Sequence, residues 1–197
     1  MQSQAKPIIS VIGATGSQGG AVARALLATG KYEVRGLTRN TSSEAAKKLE
    51  ALGAHLVQGN INNRADIDKF FEGAYGVFAV TNFWDPDVFP NDIHKEVRQG
   101  YNMVDAAVAA KVSHFVWSSL HDIATISGGR VEAIHYTGKN RIEKYAKARY
   151  PDLHCTFFYP GFYAQNLINF PVFAPAKQPD GSYLLSWPVS RTTRLPM

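Results

Sequence analysis

Cysteine is almost absent: Cys155 is the only one in 197 residues. No internal disulfide is possible, so a reducing compartment is expected, cytoplasmic and also nuclear. Set in an apolar run, Cys155 reads as a buried strand residue rather than a nucleophile. No apolar run reaches the length of a membrane span, and Met1 to Lys6 lacks the apolar stretch of a signal peptide. Like charges form no block. The formal net charge of +5 is scattered, which argues against a basic stripe for direct nucleic-acid contact but helps attract an anionic small ligand. Internal repeats and low-complexity tracts are missing too. His94, His114, His121 and His154 have no metal-ligand spacing with cysteine or carboxylates, so no metal is expected. What remains is ordinary globular composition, 45% hydrophobic and 19% charged, and a length that suits one sizeable core.

What is present begins at Ile8. A short apolar strand runs into Gly13-Ala14-Thr15-Gly16-Ser17-Gln18-Gly19-Gly20, and an alanine-rich helix follows, expected over Gly20 to Thr29. This order aims backbone N–H groups and a helix N-terminus at one point, which suits a pyrophosphate. Gly13 permits the sharp turn, Gly16 close approach of a ligand, and Gly19 close packing of helix on strand. The spacing is G-x-x-G-x-x-G, not the G-x-G-x-x-G of the dehydrogenase fingerprint.

Twenty residues past Gly19 lies Arg39, at the tip of an expected strand from Tyr32 to Arg39. An NAD-specific site usually places a carboxylate here for the ribose hydroxyls. Thr38, Arg39 and Asn40 stand here instead. A guanidinium can hold a 2′-phosphate through a paired hydrogen-bond fork, whereas a carboxylate repels it. The residues therefore favour NADP(H) over NAD(H).

Strand-like and helix-like segments then alternate. Thr41-Ser42-Ser43-Glu44 reads as a capping box opening a helix to Leu52, closed by Gly53. Strands are expected at His55–Gly59, Gly76–Thr81, His114–Ser119 and His154–Tyr159. Asn63 caps a short helix with Ile67, Phe70 and Phe71 on one face. A longer helix, 92–110, places Ile93, Val97, Tyr101, Val104 and Val108 along one stripe. Residues 120–134 read as a loop and 135–149 as a helix with Ile142 and Tyr145 inward. Beyond Tyr159 only Ser182 to Trp187 reads as a strand. Repeated βαβ units with right-handed crossovers make an α/β, Rossmann-type doubly wound parallel sheet, with ligands at the carboxyl ends of its strands. Residues 1–160 form the dinucleotide-binding domain, and 161–197 a partial segment for substrate or partner.

Several motifs together resemble the NmrA-like family, an atypical branch of the short-chain dehydrogenase/reductase superfamily. They are the glycine-rich turn above, Leu37-Thr38-Arg39-Asn40, Gln58-Gly59-Asn60, Val80-Thr81-Asn82-Phe83-Trp84, Tyr136-Thr137-Gly138-Lys139 and Pro160-Gly161-Phe162-Tyr163-Ala164-Gln165-Asn166. The resemblance implies a Rossmann fold that binds NADP(H). It implies that Thr15, Gly16, Ser17 and Gln18 cradle the phosphates, and that Arg39 with Asn40 holds the 2′-phosphate. Asn60 would lie beside the adenine, Thr81 and Asn82 along the middle of the cofactor, and Lys139 at the nicotinamide ribose. Tyr163 and Asn166 would border the nicotinamide end. Two departures stand out. Gly59-Asn60 replaces the family's usual Gly-Asp, and the chain stops at Arg194-Leu195-Pro196-Met197, where members run on for roughly another third of their length.

Chemistry is less evident. Short-chain dehydrogenases carry Tyr-x-x-x-Lys, whose tyrosine protonates the substrate. Four residues before Lys139 stands His135, and Tyr136 is about 60° further round the helix. Lys139 and His135 are the remaining catalytic candidates, with Ser118 and Ser119 placed either to hold a substrate oxygen or to cap a strand end. Phe83, Trp84 and Phe89 form an aromatic lip, a partner surface or plain loop packing. Three readings stay open: a redox sensor that regulates a transcription factor or metabolic enzyme, an NADPH-dependent reductase of quinones or other small carbonyls, and a scaffold whose exposed apolar surface drives homodimerisation.

Overall fold

The computed structural model of the chain describes residues 5–186. Six strands, β1 (Ile8–Val11), β2 (Glu33–Thr38), β3 (His55–Gln58), β4 (Gly76–Ala79), β5 (His114–Ser118) and β6 (Cys155–Phe158), form one parallel sheet in the order β3-β2-β1-β4-β5-β6. Between them run α1 (Ser17–Ala28), α2 (Glu44–Ala51), α3 (Arg64–Phe71), α4 (Lys95–Ala109), α5 (Ile123–Ile126) and α6 (Ile134–Arg149). This is the doubly wound Rossmann-type sheet that the alternation implies. The strand order reverses between β1 and β4, which opens a crevice at their carboxyl ends.

Each face of the sheet has its own core. Val77 and Ala79 of β4 join Ile67, Phe70, Met103, Phe115, Trp117 and Ile142, while Phe78 joins Val11, Ala23, Val34, Ala46 and Leu49. Alternation along a strand buried on both sides produces this split, and all four residues of β4 are buried. Asn63 caps α3 by accepting the Ala65 N–H, and Ile67, Phe70 and Phe71 are its buried residues.

Several boundaries differ from expectation. α1 begins at Ser17, three residues before Gly20, because extended Gly16 serves as its N-cap. The capping box does not form: Ser43, not Thr41, caps α2 by accepting the Ala46 N–H at 3.2 Å, so Glu44 enters the first turn. The buried face of α4 is Glu96, Gln99, Gly100, Met103, Val104, Ala106 and Ala107, and Val104 alone of the expected stripe is fully buried. Three of these residues, Gly100, Ala106 and Ala107, are small and carry little hydrophobic signal. A Cβ at Gly100 would overlap the Ile142 side chain, so the two helices cross in close contact. The loop at 120–134 contains α5, capped by Asp122, which accepts the Thr125 N–H. Cys155 is half-buried, since it lies on edge strand β6, and burial pushes its thiol up to about 11.

The chain divides into two compact units at Tyr159–Pro160. The second contains a helical turn α7 (Asn166–Asn169), a 3₁₀ turn at Pro171–Phe173 and a two-residue antiparallel pair, β7 (Ala176–Lys177) with β8 (Tyr183–Leu184). The expected strand at Ser182–Trp187 is thus shorter, and Trp187 and Arg194 to Met197 lie outside the described residues.

Candidate functional site

The carboxyl edge of β1 is built from backbone. Gly13 has φ +69 and its carbonyl accepts the Gly16 N–H at 2.8 Å. A Cβ at Gly19 would collide with that same carbonyl, so helix and turn touch with no room for a side chain. No side chain caps α1, and Thr15, Gly16 and Ser17 are exposed around its first turn. Uncapped first-turn amides at the positive end of a helix form a receptive place for an anion. The Gln18 side chain turns sideways: its Nε2 and Oε1 lie 2.9 and 3.1 Å from Ser118 Oγ, tying α1 to the end of β5.

Arg39 and Asn40 follow the tip of β2, both exposed. The Arg39 guanidinium pairs with Asp85 at 3.1 Å. Asn40 Oδ1 accepts the Ser42 N–H, and its backbone N–H meets Thr38 Oγ1. After β3, Asn60 Oδ1 accepts the Asn62 N–H, and Asp66 takes the backbone N–H of Asn60 at 2.9 Å. Asn82 is exposed beyond β4 and accepts the Trp84 N–H.

The densest chemistry lies at the end of β4. Lys139, from α6, is buried, and its ammonium donates to the Thr81 carbonyl at 2.8 Å, to Thr81 Oγ1 at 2.9 Å and to Glu96 Oε1 at 2.9 Å. Those acceptors match its three hydrogens. Burial pushes the Lys139 pKa down, and the Glu96 carboxylate opposes that shift. Trp117 on β5 helps hold the helix, donating its Nε1–H to the Lys139 carbonyl at 3.0 Å.

His135 sits one turn before Lys139, its ring 5.6 Å from Phe83, 5.3 Å from Trp84 and 4.8 Å from Tyr136. Burial lowers its pKa, Glu96 opposes that shift, and Lys139 adds to it. Phe83 is the buried base of this cluster, whereas Trp84 is 62% exposed and Phe89 42%. Both serines are engaged, Ser118 with Gln18 and Ser119 with Glu143 Oε2 at 2.6 Å. The sequence-predicted residues Gly13, Thr15, Gly16, Ser17, Gln18, Gly19, Arg39, Asn40, Asn60, Thr81, Asn82, Phe83 and Lys139 therefore all lie at or beyond the carboxyl ends of β1 to β5 and on the helices that follow. Tyr163 and Asn166 belong to the second unit, where the Asn166 N–H donates to the Tyr163 carbonyl.

Sequence reasoning misses Glu96 and Glu143. Both are acidic residues on helices that read as amphipathic, and a carboxylate on such a helix ordinarily faces water. The available signal was spacing: Glu96 belongs with Gly100 and Met103 at i, i+4 and i+7. Apart from this edge, a cavity of about 410 Å³ opens beside α4, lined by Asn62, Lys95, Arg98, Gln99, Tyr101 and Tyr145 among others. Among the described residues no cluster of His, Cys, Asp or Glu is arranged to hold a metal, and no helix is long and apolar enough to cross a membrane.

Fold and edge define a Rossmann-type domain with an anion-receptive first turn and a lysine held at the end of the fourth strand. The chain belongs to the NmrA-like family, whose profile matches residues 5–197. It is 40% identical over 147 residues to an NmrA-like family domain-containing oxidoreductase of Aspergillus campestris, a match covering 74% of this chain and 43% of that protein. A crystal structure of NmrA, described as a negative transcriptional regulator, is similar with a TM-score of 0.81 at 30% identity, over 98% of this chain and 57% of that one. NmrA in complex with NADP, and separately with NAD, gives 0.75 at 30% identity, over 91% and 53%. The chain spans about half the length of the curated relatives it matches, less than the two thirds expected from its motifs.

Proposed function

We propose that this chain binds NADP(H) along the carboxyl edge of β1, β2 and β4 and regulates a partner protein, without turning over a substrate. The residues present suit the dinucleotide. The uncapped first turn of α1, with Thr15, Gly16 and Ser17 exposed, takes the pyrophosphate. Arg39 and Asn40 take the 2′-phosphate. Asn60 lies towards the adenine, Thr81 and Asn82 towards the middle, and Lys139 towards the nicotinamide ribose. Bound nicotinamide would supply hydride chemistry.

One observation carries the regulatory reading: His135 stands where short-chain dehydrogenases carry the proton-donating tyrosine, four residues before Lys139. Burial lowers its pKa, and all three hydrogens of the Lys139 ammonium already have acceptors. The serine hydroxyls are engaged. NmrA, 30% identical, is a negative transcriptional regulator with an NADP complex, which supports the same reading. Exposed Trp84 and Phe89 give a partner an aromatic surface beside the nicotinamide end.

A second reading, an NADPH-dependent reductase, draws on Lys139 and on the relatives named oxidoreductases. The test is NADPH oxidation with a panel of quinones and enones, beside calorimetric binding of NADPH and NADP⁺. Binding without turnover is the expected outcome. Turnover above roughly 1 s⁻¹ overturns the regulatory reading in favour of the reductase.

A further inference from the structure

Glu96 has no part in the reading above, yet it is the most deeply placed carboxylate described, 1% exposed against 4% for Glu143. It stands in the first turn of α4. Its Oε1 accepts from two donors, the Lys139 ammonium at 2.9 Å and the Thr81 hydroxyl at 2.7 Å. Its Oε2 is buried without a hydrogen-bond partner among the described residues. A Cβ on residue 138 would lie 3.1 Å from that oxygen, so Gly138 leaves the carboxylate its room. A buried ion pair is expensive to desolvate, and apolar side chains of similar volume would serve stability at least as well. The position therefore calls for a reason other than stability.

We propose that Glu96 is the positioning residue of the dinucleotide site: its carboxylate keeps the buried Lys139 ammonium charged and aimed at the Thr81 end of β4, where the ribose draws on it. This rests on the dinucleotide reading given above. The hydrogen bonds show which partner yields. Thr81 Oγ1 accepts from Lys139 and donates to Glu96. If a ribose hydroxyl replaces it as the acceptor of the ammonium, Thr81 keeps its own donation and is not orphaned. Glu96 meanwhile holds the charge in place.

Among the described residues, few groups face the ammonium. α4 supplies Glu96, the end of β4 supplies uncharged Thr81, and β5 supplies the Trp117 ring at 5.8 Å. On α6 itself His135 is the nearby titratable group, and burial lowers its pKa. Without Glu96, a buried ammonium has neutral acceptors alone, and burial favours the loss of its proton. Ligand binding must then bring that proton back.

Calorimetric titration of NADPH at pH 8, in buffers of low and high ionisation enthalpy, counts the protons taken up. The wild type is expected to bind with none. Glu96→Gln should bind at least tenfold more weakly and take up protons on binding. Glu96→Asp should recover most of the affinity and lose the uptake, and the double variant Glu96→Gln with Lys139→Met should show no uptake. Wild-type affinity without uptake in Glu96→Gln overturns the proposal. Where Glu96→Gln fails to fold by circular dichroism, Gly138→Ala, which crowds Oε2, takes its place: weaker binding with uptake supports the proposal, and unchanged binding overturns it. No heat with the wild-type chain overturns the dinucleotide reading instead, and this inference falls with it.

Discussion

Arg39 and Asp85, 46 residues apart in sequence, meet as an ion pair at 3.1 Å. One follows β2 and the other follows β4, so their bridge passes over the carboxyl end of β1, which lies between those strands. The Arg39 side chain is 71% exposed. An exposed pair of this kind contributes about 0–1 kcal/mol, little enough for a doubly charged phosphate to displace.

Two substitutions at this bridge should act in opposite directions. Asp85→Asn frees the guanidinium and should tighten NADPH binding by about two- to fivefold. Arg39→Asp should weaken NADPH by at least about tenfold and leave NADH little affected. Isothermal titration of both nucleotides measures this. Equal NADPH affinity in wild type and Arg39→Asp removes the guanidinium from the site.

Gly19→Ala should damage fold and site together. The added methyl collides with the Gly13 carbonyl, a backbone group unable to rotate away. Overpacking of this kind costs about 1–3 kcal/mol. A lower Tm with lost nucleotide stabilisation is expected in a thermal-shift assay, and an unchanged Tm contradicts the geometry.

Glu143 accepts from Ser119 at 2.6 Å, from Lys147 at 2.5 Å and from Tyr159. Burial alone would raise its pKa, but hydrogen bonds from Lys147, Ser119 and Tyr159 outweigh it and hold the carboxyl low. A depressed carboxyl stabilises the fold above its unfolded pKa of about 4.3, and that contribution disappears as pH falls through the folded value. Glu143→Ala should cost about 3 kcal/mol at pH 7 and flatten the acid limb of stability below about pH 4. Urea denaturation across pH measures both.

Three groups should titrate late. Burial, with a carboxylate beside each phenol, pushes Tyr145 and Tyr159 up to about 12, and burial pushes Cys155 up to about 11. A raised phenol stabilises the fold fully below its unfolded pKa and loses that contribution as pH climbs through the folded one. Ultraviolet titration should show two phenolates appearing near pH 12 and not near 10. Iodoacetamide at pH 8 should alkylate Cys155 about a hundredfold more slowly than in the unfolded chain. Equal rates would show the thiol to be accessible and ordinary.

The sheet was legible because its signals are local. Glycine in the first turn, Asn63 before α3 and unbroken apolar runs at β4 and β5 each mark an element without reference to the rest of the chain. Where several local choices competed, reading by residue type fell short. Thr41 and Ser43 both suit an N-cap, and the backbone chose the second. α4 shows the larger gap. Its apolar residues pointed to a stripe through Val97 and Val104, but Gly100 takes the Ile142 side chain of α6 against its backbone, and glycine carries no hydrophobic signal. The Lys139 position was readable from its motif. Its burial on Glu96 was not, because that contact joins residues 43 apart in sequence.

Gly100, against Ile142, bears on all of this although it has no functional group of its own. With no side chain at position 100, the Ile142 side chain of α6 packs directly against the backbone of α4, the helix that also carries Glu96. A methyl at position 100 would overlap that side chain and press the two helices apart with both charged residues untouched. Sequence variation there would therefore alter the site while every recognisable motif stayed in place.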